Sequence, residues 1–276
     1  SVGIVDVSTL GKIDIQGQDS AAFLDFIYIN NFAKLAPGKV RYGLMLREDG
    51  HVMDDGTAAC IKENHYVLTT TTASAGEVMT HLEFVQQCLV PHFDVTLMSV
   101  TEQWAQFAVA GPKSRELINQ IIDEEINSDN FSYMAYKEVS IGEVKARIFR
   151  ISFSGEHAYE IAVPSRFGES MFDHLKSSAE DLGGGLYGME ALNVLRIEKG
   201  FITHAEIDGR ITAFDLGMQK MMSSKKDFIG KTGAMRPGLI DQDRDQLVGL
   251  IPITGTEKLF AGSYFFDVEA SPVRVA

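Results

Sequence analysis

The stretch Tyr42-Gly43-Leu44-Met45-Leu46-Arg47-Glu48-Asp49-Gly50-His51-Val52-Met53-Asp54-Asp55 constrains the fold more than any other. An apolar run, a polar Arg-Glu-Asp-Gly turn and a second run form the pattern of a β-hairpin, with two adjacent carboxylates at the end of its second strand. Successive side chains of a strand point to opposite faces. If Met53 and Asp55 share one face, Asp54 takes the other, so one aspartate can enter a pocket while its neighbour stays wet. A strand that delivers a carboxylate into an apolar enclosure suits chemistry on a nitrogen compound. A solvated pair at the end of a hairpin is the plainer alternative.

Around the hairpin the chain alternates strand and helix patterns. Gly11 to Gly17 alternates as a strand, and Asp19 or Ser20 can cap a helix facing inward through Phe23, Phe26 and Ile27. Tyr66–Leu68 runs into four threonines, Thr69 to Thr72, which suit an extended edge and are poor helix interior. Two of them can meet a polar ligand, or the outer ones can cap the helix of Val78, Leu82, Val85 and Leu89. Trp104 to Ala110 reads as a strand, and Gly111-Pro112 opens a helix with Leu117, Ile118 and Ile121 inward. Arg147 to Ser154 alternates toward a turn, then Tyr159 to Val163 forms a strand with Glu160 embedded in it. A partly buried carboxylate needs donors, which a heterocycle with adjacent N–H groups or an arginine can provide. Helices are expected from Ser165 or Arg166 and from Gly188 to Lys199. The second carries Ala191, Leu195 and Glu198 on one face, and its Arg196 can pair with Glu160 or an acidic ligand, or simply form a salt bridge. Gly183-Gly184-Gly185 is not a dinucleotide fingerprint, having no GxGxxG spacing.

The formal net charge of −13 argues against a nucleic-acid groove, and the Lys220–Lys231 run is broken by apolar residues and Asp227. Cys60 and Cys88 read as buried thiols, with a redox couple as the alternative. The seven histidines show no metal-ligand spacing. No apolar stretch approaches membrane-spanning length and no signal peptide is visible, so a cytoplasmic protein with no membrane or nucleic-acid partner is expected. Beyond Asp227 the texture shifts to Gly- and Pro-punctuated short runs, such as Gln246–Leu250, and further ones past Gly255 and Gly262. They suggest an all-β satellite ending, at Ala276, before its sheet is complete.

Several strings together resemble the aminomethyltransferase superfamily, which includes the glycine-cleavage T-protein and the folate-binding portions of dimethylglycine and sarcosine oxidases. They are Val5 to Lys12, Val40 to Thr57, Thr69 to Thr72, Thr101 to Ala105, Phe153 to Ile161 and Tyr187 to Gly200. Within it the chain is most similar to the C-terminal folate-binding part of heterotetrameric sarcosine oxidase alpha subunits. The resemblance implies an α+β fold with antiparallel sheets and packed helices over residues 1–226. A truncated C-terminal β-barrel domain over 227–276 would follow. It implies tetrahydrofolate as the cofactor, with flavin and NAD only on other parts of a complex whose remaining subunits are partners. The activity implied is transfer of the one-carbon unit of oxidised sarcosine to give 5,10-methylenetetrahydrofolate. A stand-alone folate-dependent aminomethyltransferase or demethylase, and a non-catalytic folate-binding module, are the alternatives. By the same resemblance Asp55 is catalytic, facing folate N10, and Glu160 reads the pterin. Leu10, Tyr42, Thr71, Thr72 and Phe153 line the pocket. Phe153 stands where glycine-cleavage relatives carry a tyrosine, Leu10 where they carry a methionine, and Leu192 where they carry an arginine.

Overall fold

The computed structural model describes residues 1–252, positions 255 and 260, and the backbone of residues 264–265 and 273–274. Along the chain run β1 (Gly3–Asp6), β2 (Gly11–Gln16), α1 (Ser20–Ile27), β3 (Val40–Leu46), β4 (Val52–Lys62), β5 (His65–Thr70) and α2 (Ala75–Phe84). They are followed by β6 (Thr96–Ser99), β7 (Trp104–Ala110), α3 (Ser114–Ile121), β8 (Tyr136–Ile141), β9 (Val144–Phe149) and β10 (Ala158–Pro164). Then come α4 (Gly168–Asp181), the short β11 (Gly185–Leu186), α5 (Met189–Lys199) and the single turn α6 (Lys231–Ala234).

Two open sheets result. One has five strands in the order β3-β4-β5-β2-β6, and the other six in the order β11-β1-β7-β10-β9-β8. All pairings are antiparallel except that of β1 with β11. Period-two alternation decides which face of each strand is buried where. Ile13 and Ile15 of β2, Leu68 of β5 and Ala58 and Cys60 of β4 share one face. With Phe23, Leu24 and Ile27 of α1 and Val78 and Leu82 of α2 they form one core. On the six-stranded sheet Phe107, Val109, Tyr159, Ile161 and Val163 pack against Leu117, Ile118 and Ile121 of α3 and Met171 and Leu175 of α4. Each such fully buried aliphatic side chain contributes roughly 1.5–3 kcal/mol.

The remaining faces of the two sheets meet each other. Val40 and Ala59 from one sheet and Tyr136, Phe149 and Ala162 from the other form a shared apolar cluster with Ile151. Backbone bonds from Val40 N–H to the Met134 carbonyl and from Tyr136 N–H to the Gly38 carbonyl, both 2.8 Å, tie the sheets at that end. The hairpin tip is fixed separately. Gly50 takes a φ of +92°, and a Cβ there would lie 2.2 Å from the Ala234 backbone nitrogen. Phe228 and Ala234 pack with Leu44, Leu46 and Val52, so the segment after residue 226 braces the hairpin.

Several expectations need correction. The C-terminal β-barrel is not seen: among the described residues neither large sheet closes, and the only other ladder pairs two residues with two (β12, Tyr264–Phe265, and β13, Val273–Arg274). Gln246–Leu250 has no strand conformation, because no neighbouring strand supplies it with ladder bonds. The apolar runs past Gly262 fall largely outside the described residues. The alternating run from Arg147 leaves its strand at Phe149, where Arg150 turns to bond Ala135 and Met134. Cys60 is buried, but Cys88 is exposed. The helix expected at Gly111-Pro112 begins at Ser114.

Candidate functional site

Directly opposed residues of a ladder share a face. On the five-stranded sheet Tyr42 opposes Thr57, and Thr69 opposes Lys12. Thr57 and Thr69 join through their hydroxyls at 2.8 Å. Tyr42, Thr57, Thr69 and Lys12 therefore form a polar row across four strands, on the face that looks toward the second sheet. Three strand spacings make it about 14 Å long. Its register places it beyond the apolar cluster of Val40 and Ala59.

One pole of the row is Asp55, which opposes Leu44 and shares the face of Tyr42. The Tyr42 hydroxyl donates to Asp55 Oδ2 at 2.9 Å. Burial pushes the Asp55 carboxyl up to about 6, with the charges of Asp54 and Glu206 adding to the rise and the Tyr42 bond opposing it. Tyr42 is driven far above the usual phenol range, first by burial and then by the Asp55 charge. Asp54 points to the other face and is 2% exposed. It accepts bonds from the Thr71 backbone N–H at 3.2 Å and from the Thr71 hydroxyl. Burial raises its carboxyl against those bonds. The expectation that Asp54 stays wet while Asp55 is enclosed fails: the turn after β5 folds over Asp54, which is buried, and Asp55 is half-buried. The pair also lies near the start of β4, which runs on to Lys62, and not at the strand's end.

The other pole is Glu160 on β10, 7% exposed. It lies on the face opposite to Tyr159 and Ile161, and so toward the five-stranded sheet. The Gln106 side-chain amide donates to its Oε2. Burial raises the Glu160 carboxyl, partly offset by the Gln106 bond and by the positive charge of Lys12. Lys12 is itself 2% exposed, and burial lowers its ammonium. Its Nζ donates to the carbonyls of Ser8 at 2.8 Å and Leu10 at 3.0 Å. An ionised carboxylate has about four acceptor sites, and Glu160 fills one with a protein donor. Close by, the Tyr187 hydroxyl is buried without a partner. Its phenol is pushed up to about 12 by burial and by the charge of Glu160.

The other residues singled out in the sequence are distributed around these poles. Leu10 is half-buried in the turn before β2, and its neighbour Thr9 meets Thr72 hydroxyl to hydroxyl at 3.2 Å. Thr71 serves Asp54 rather than Asp55. Phe153, in the loop after β9, stacks on Phe201 with centroids 6.2 Å apart and planes 17° from parallel. Leu192 is buried, whereas Ala191 and Glu198, expected on one face with Leu195, are exposed. Arg196 does not reach Glu160: it pairs with Glu206 at 2.8 Å. Sequence reasoning missed Gln106, Lys12 and Tyr187. The one available signal was a lysine among apolar residues in β2.

Two open surface clefts, of about 340 and 730 Å³, lie beside Trp104 and Arg166 and between the hairpin tip and α2, away from the row. Among the described residues no group of His, Cys, Asp and Glu could hold a metal ion. No described helix is long and apolar enough to cross a membrane.

The GCVT N-terminal domain model matches residues 1–226. The alpha subunit of sarcosine oxidase from Rhizobium meliloti is 52% identical over 267 residues, 96% of this chain and 27% of that protein. The corresponding subunit from a Corynebacterium strain is 40% identical over 98% of this chain and 28% of its own length. The chain thus spans about a quarter of these relatives. The crystal structure of glycine cleavage system aminomethyltransferase T from Bartonella henselae superposes with a TM-score of 0.73 at 21% identity, over 84% of this chain and 62% of that one.

Proposed function

The chain belongs to the family of the GCVT N-terminal domain, and on that premise we propose that it is the folate-binding part of a sarcosine oxidase alpha subunit. The observation that carries the reading is the polar row between the sheets, with an acid at each pole. A long ligand with a hydrogen-bonding ring at one end and a reacting nitrogen further along matches a polar row about 14 Å long with an acid beside each end. Tetrahydrofolate, when bound, would supply the two amine nitrogens that capture the one-carbon unit of oxidised sarcosine as its bond to the glycine nitrogen breaks, giving 5,10-methylenetetrahydrofolate and free glycine.

The residues present suit that ligand. Glu160 retains unfilled acceptor sites, and the orphaned Tyr187 hydroxyl lies near it. A carboxylate that accepts two N–H groups from a flat heterocycle fixes its orientation as well as its affinity. At the other pole, a carboxyl at about 6 is mostly ionised at neutral pH and close enough to neutrality to take a proton efficiently. Asp55 accepts the proton released as the new C–N bond forms, and Tyr42 holds the carboxylate in place. Leu10, Thr71, Thr72 and the Phe153 ring line the same pocket. Residues 1–226 form the folate-binding unit. Flavin and NAD sit on other parts of the complex, whose other subunits are the partners, in the cytoplasm.

The test is methylenetetrahydrofolate formation by the reconstituted complex carrying Asp55→Asn. The reading predicts that sarcosine oxidation continues while transfer of the one-carbon unit to folate falls by at least roughly a hundredfold, as for a lost general base. An unchanged transfer rate removes Asp55 from the chemistry. Unchanged transfer with intact folate binding marks a binding module. Turnover by the purified single chain marks a stand-alone transferase.

A further inference from the structure

A second cluster lies on the opposite face of β10 from Glu160. Tyr159 is fully buried there, stacked on Phe131 with planes 13° from parallel. Its hydroxyl accepts from Arg115 Nε at 3.0 Å. The Arg150 guanidinium lies 5.0 Å from the Tyr159 ring centroid and 5.6 Å from that of the exposed Tyr133. Arg115 comes from the first turn of α3 and Arg150 from the loop after β9, so two independent elements bring two positive charges to one phenol.

His157 belongs to the same group. Arg115 Nη2 lies 3.1 Å from its Nε2. Because a guanidinium only donates, Nε2 must carry the lone pair and the ring is neutral. Nδ1–H then donates to Ser114 Oγ at 2.8 Å, and that hydroxyl donates to the His157 carbonyl at 2.7 Å. The serine proton is committed to a carbonyl and the imidazole is a donor toward it. The Ser114–His157 pair is therefore not an activated nucleophile. Burial, and the nearby charges of Arg150 and Arg115, hold the imidazole below its usual value.

The charge balance of this group is the anomaly. The protein has 38 acidic side chains against 25 Lys and Arg. Yet the arginine ion pairs among the described residues engage Arg47, Arg196, Arg210 and Arg244. Glu116 and Glu156 adjoin Arg115 and His157 in sequence, and neither forms an ion pair there. Arg150 uses Nη1 on the Ala158 carbonyl at 2.7 Å and bonds the Tyr159 side chain, and among the described residues neither Arg150 nor Arg115 has a carboxylate partner. Two half-buried like charges repel each other and hold planar donor forks open. A small oxyanion satisfies both forks at once.

We infer that Arg115 and Arg150, with Tyr133 as a wall, form a binding site for a small oxyanion of the phosphate or carboxylate class, separate from the polar row between the sheets. The site lies behind the loop that carries Phe153 and the strand that carries Glu160.

The experiment follows the His157 ring resonances of the intact protein by NMR while inorganic phosphate, and separately acetate, is added at constant ionic strength. Saturable shifts are expected, with the His157 titration midpoint moving upward as the anion offsets the arginine charges. Half-saturation should weaken roughly tenfold or more in Arg115→Gln and in Arg150→Gln, as for loss of a charge-assisted hydrogen bond, and stay unchanged in Arg210→Gln. Tighter saturation by acetate than by phosphate assigns the site to carboxylates, and the reverse to phosphates. Non-saturating shifts with both anions, or equal half-saturation in all three variants, overturn the inference. The unsubstituted protein carries the first of these outcomes alone, so a variant that misfolds does not protect the idea.

Discussion

Asp55→Asn should make the folded chain more stable while removing its proposed chemistry. The carboxyl rises from an ordinary 3.8 to about 6 on folding. At about 1.36 kcal/mol per pH unit, that gap costs about 3 kcal/mol once the group is ionised in both states. The sign follows from the direction. A carboxyl whose folded value lies above its unfolded value binds its proton more tightly when folded. Stability is therefore lost as pH rises from below 3.8 through 6, and stays low above that. Asparagine keeps an acceptor for the Tyr42 hydroxyl and carries no charge, so the cost disappears. Urea unfolding should show the variant ahead of the parent by about 3 kcal/mol at pH 8, and by about 1 kcal/mol at pH 4.5. For a chain of this size the pH 8 difference corresponds to a midpoint about 6–12 °C higher. A gap that does not change between the two pH values would refute the claim that Asp55 is held in an enclosed, charge-unfavourable position.

Three other outcomes follow from the same geometry. Lys12→Met removes the cation whose charge acts on Glu160, so the Glu160 carboxyl should titrate at higher pH than in the parent, read by carboxyl ¹³C NMR; no change would separate the two groups. Gly50→Ala should destabilise the fold by more than about 1 kcal/mol in urea melts, since alanine disfavours the positive φ and its Cβ collides with backbone at Ala234. Leu68→Ala, fully buried between β5 and the α1–α2 layer, should cost about 2–5 kcal/mol, and a loss under 1 kcal/mol would mean that this core is looser than described.

The parts of the fold that were legible in the sequence are those set by local rules. The hairpin was readable because a polar turn with a glycine at positive φ separates two apolar runs. Strand parity put Asp54 and Asp55 on opposite faces once the hairpin was in hand, but it was the family resemblance that singled out Asp55. The alternation of Ile13 and Ile15 and the helical spacing of Leu117, Ile118 and Ile121 placed core faces correctly. What failed depended on distant partners. Asp54 is enclosed by a turn 17 residues further on, and nothing local announces that cover. Glu160 finds Gln106 across a separation of 54 residues, while Arg196, for which the sequence left Glu160, a ligand or a plain salt bridge open, pairs with Glu206 in the chain that folds back after α5. The all-β satellite was read from Gly and Pro punctuation, which marks turns but not pairing, and the barrel from the resemblance; a strand exists only where another strand bonds to it.

The measurement that bears most directly on the central claim is calorimetric titration of the protein with tetrahydrofolate, comparing the parent with Glu160→Gln and Asp55→Asn. Two poles with separate tasks predict saturable binding, weakened roughly tenfold or more by Glu160→Gln and changed far less by Asp55→Asn. Equal affinity in the parent and Glu160→Gln, or no saturable heat at all, would contradict the assignment of the inter-sheet row to folate.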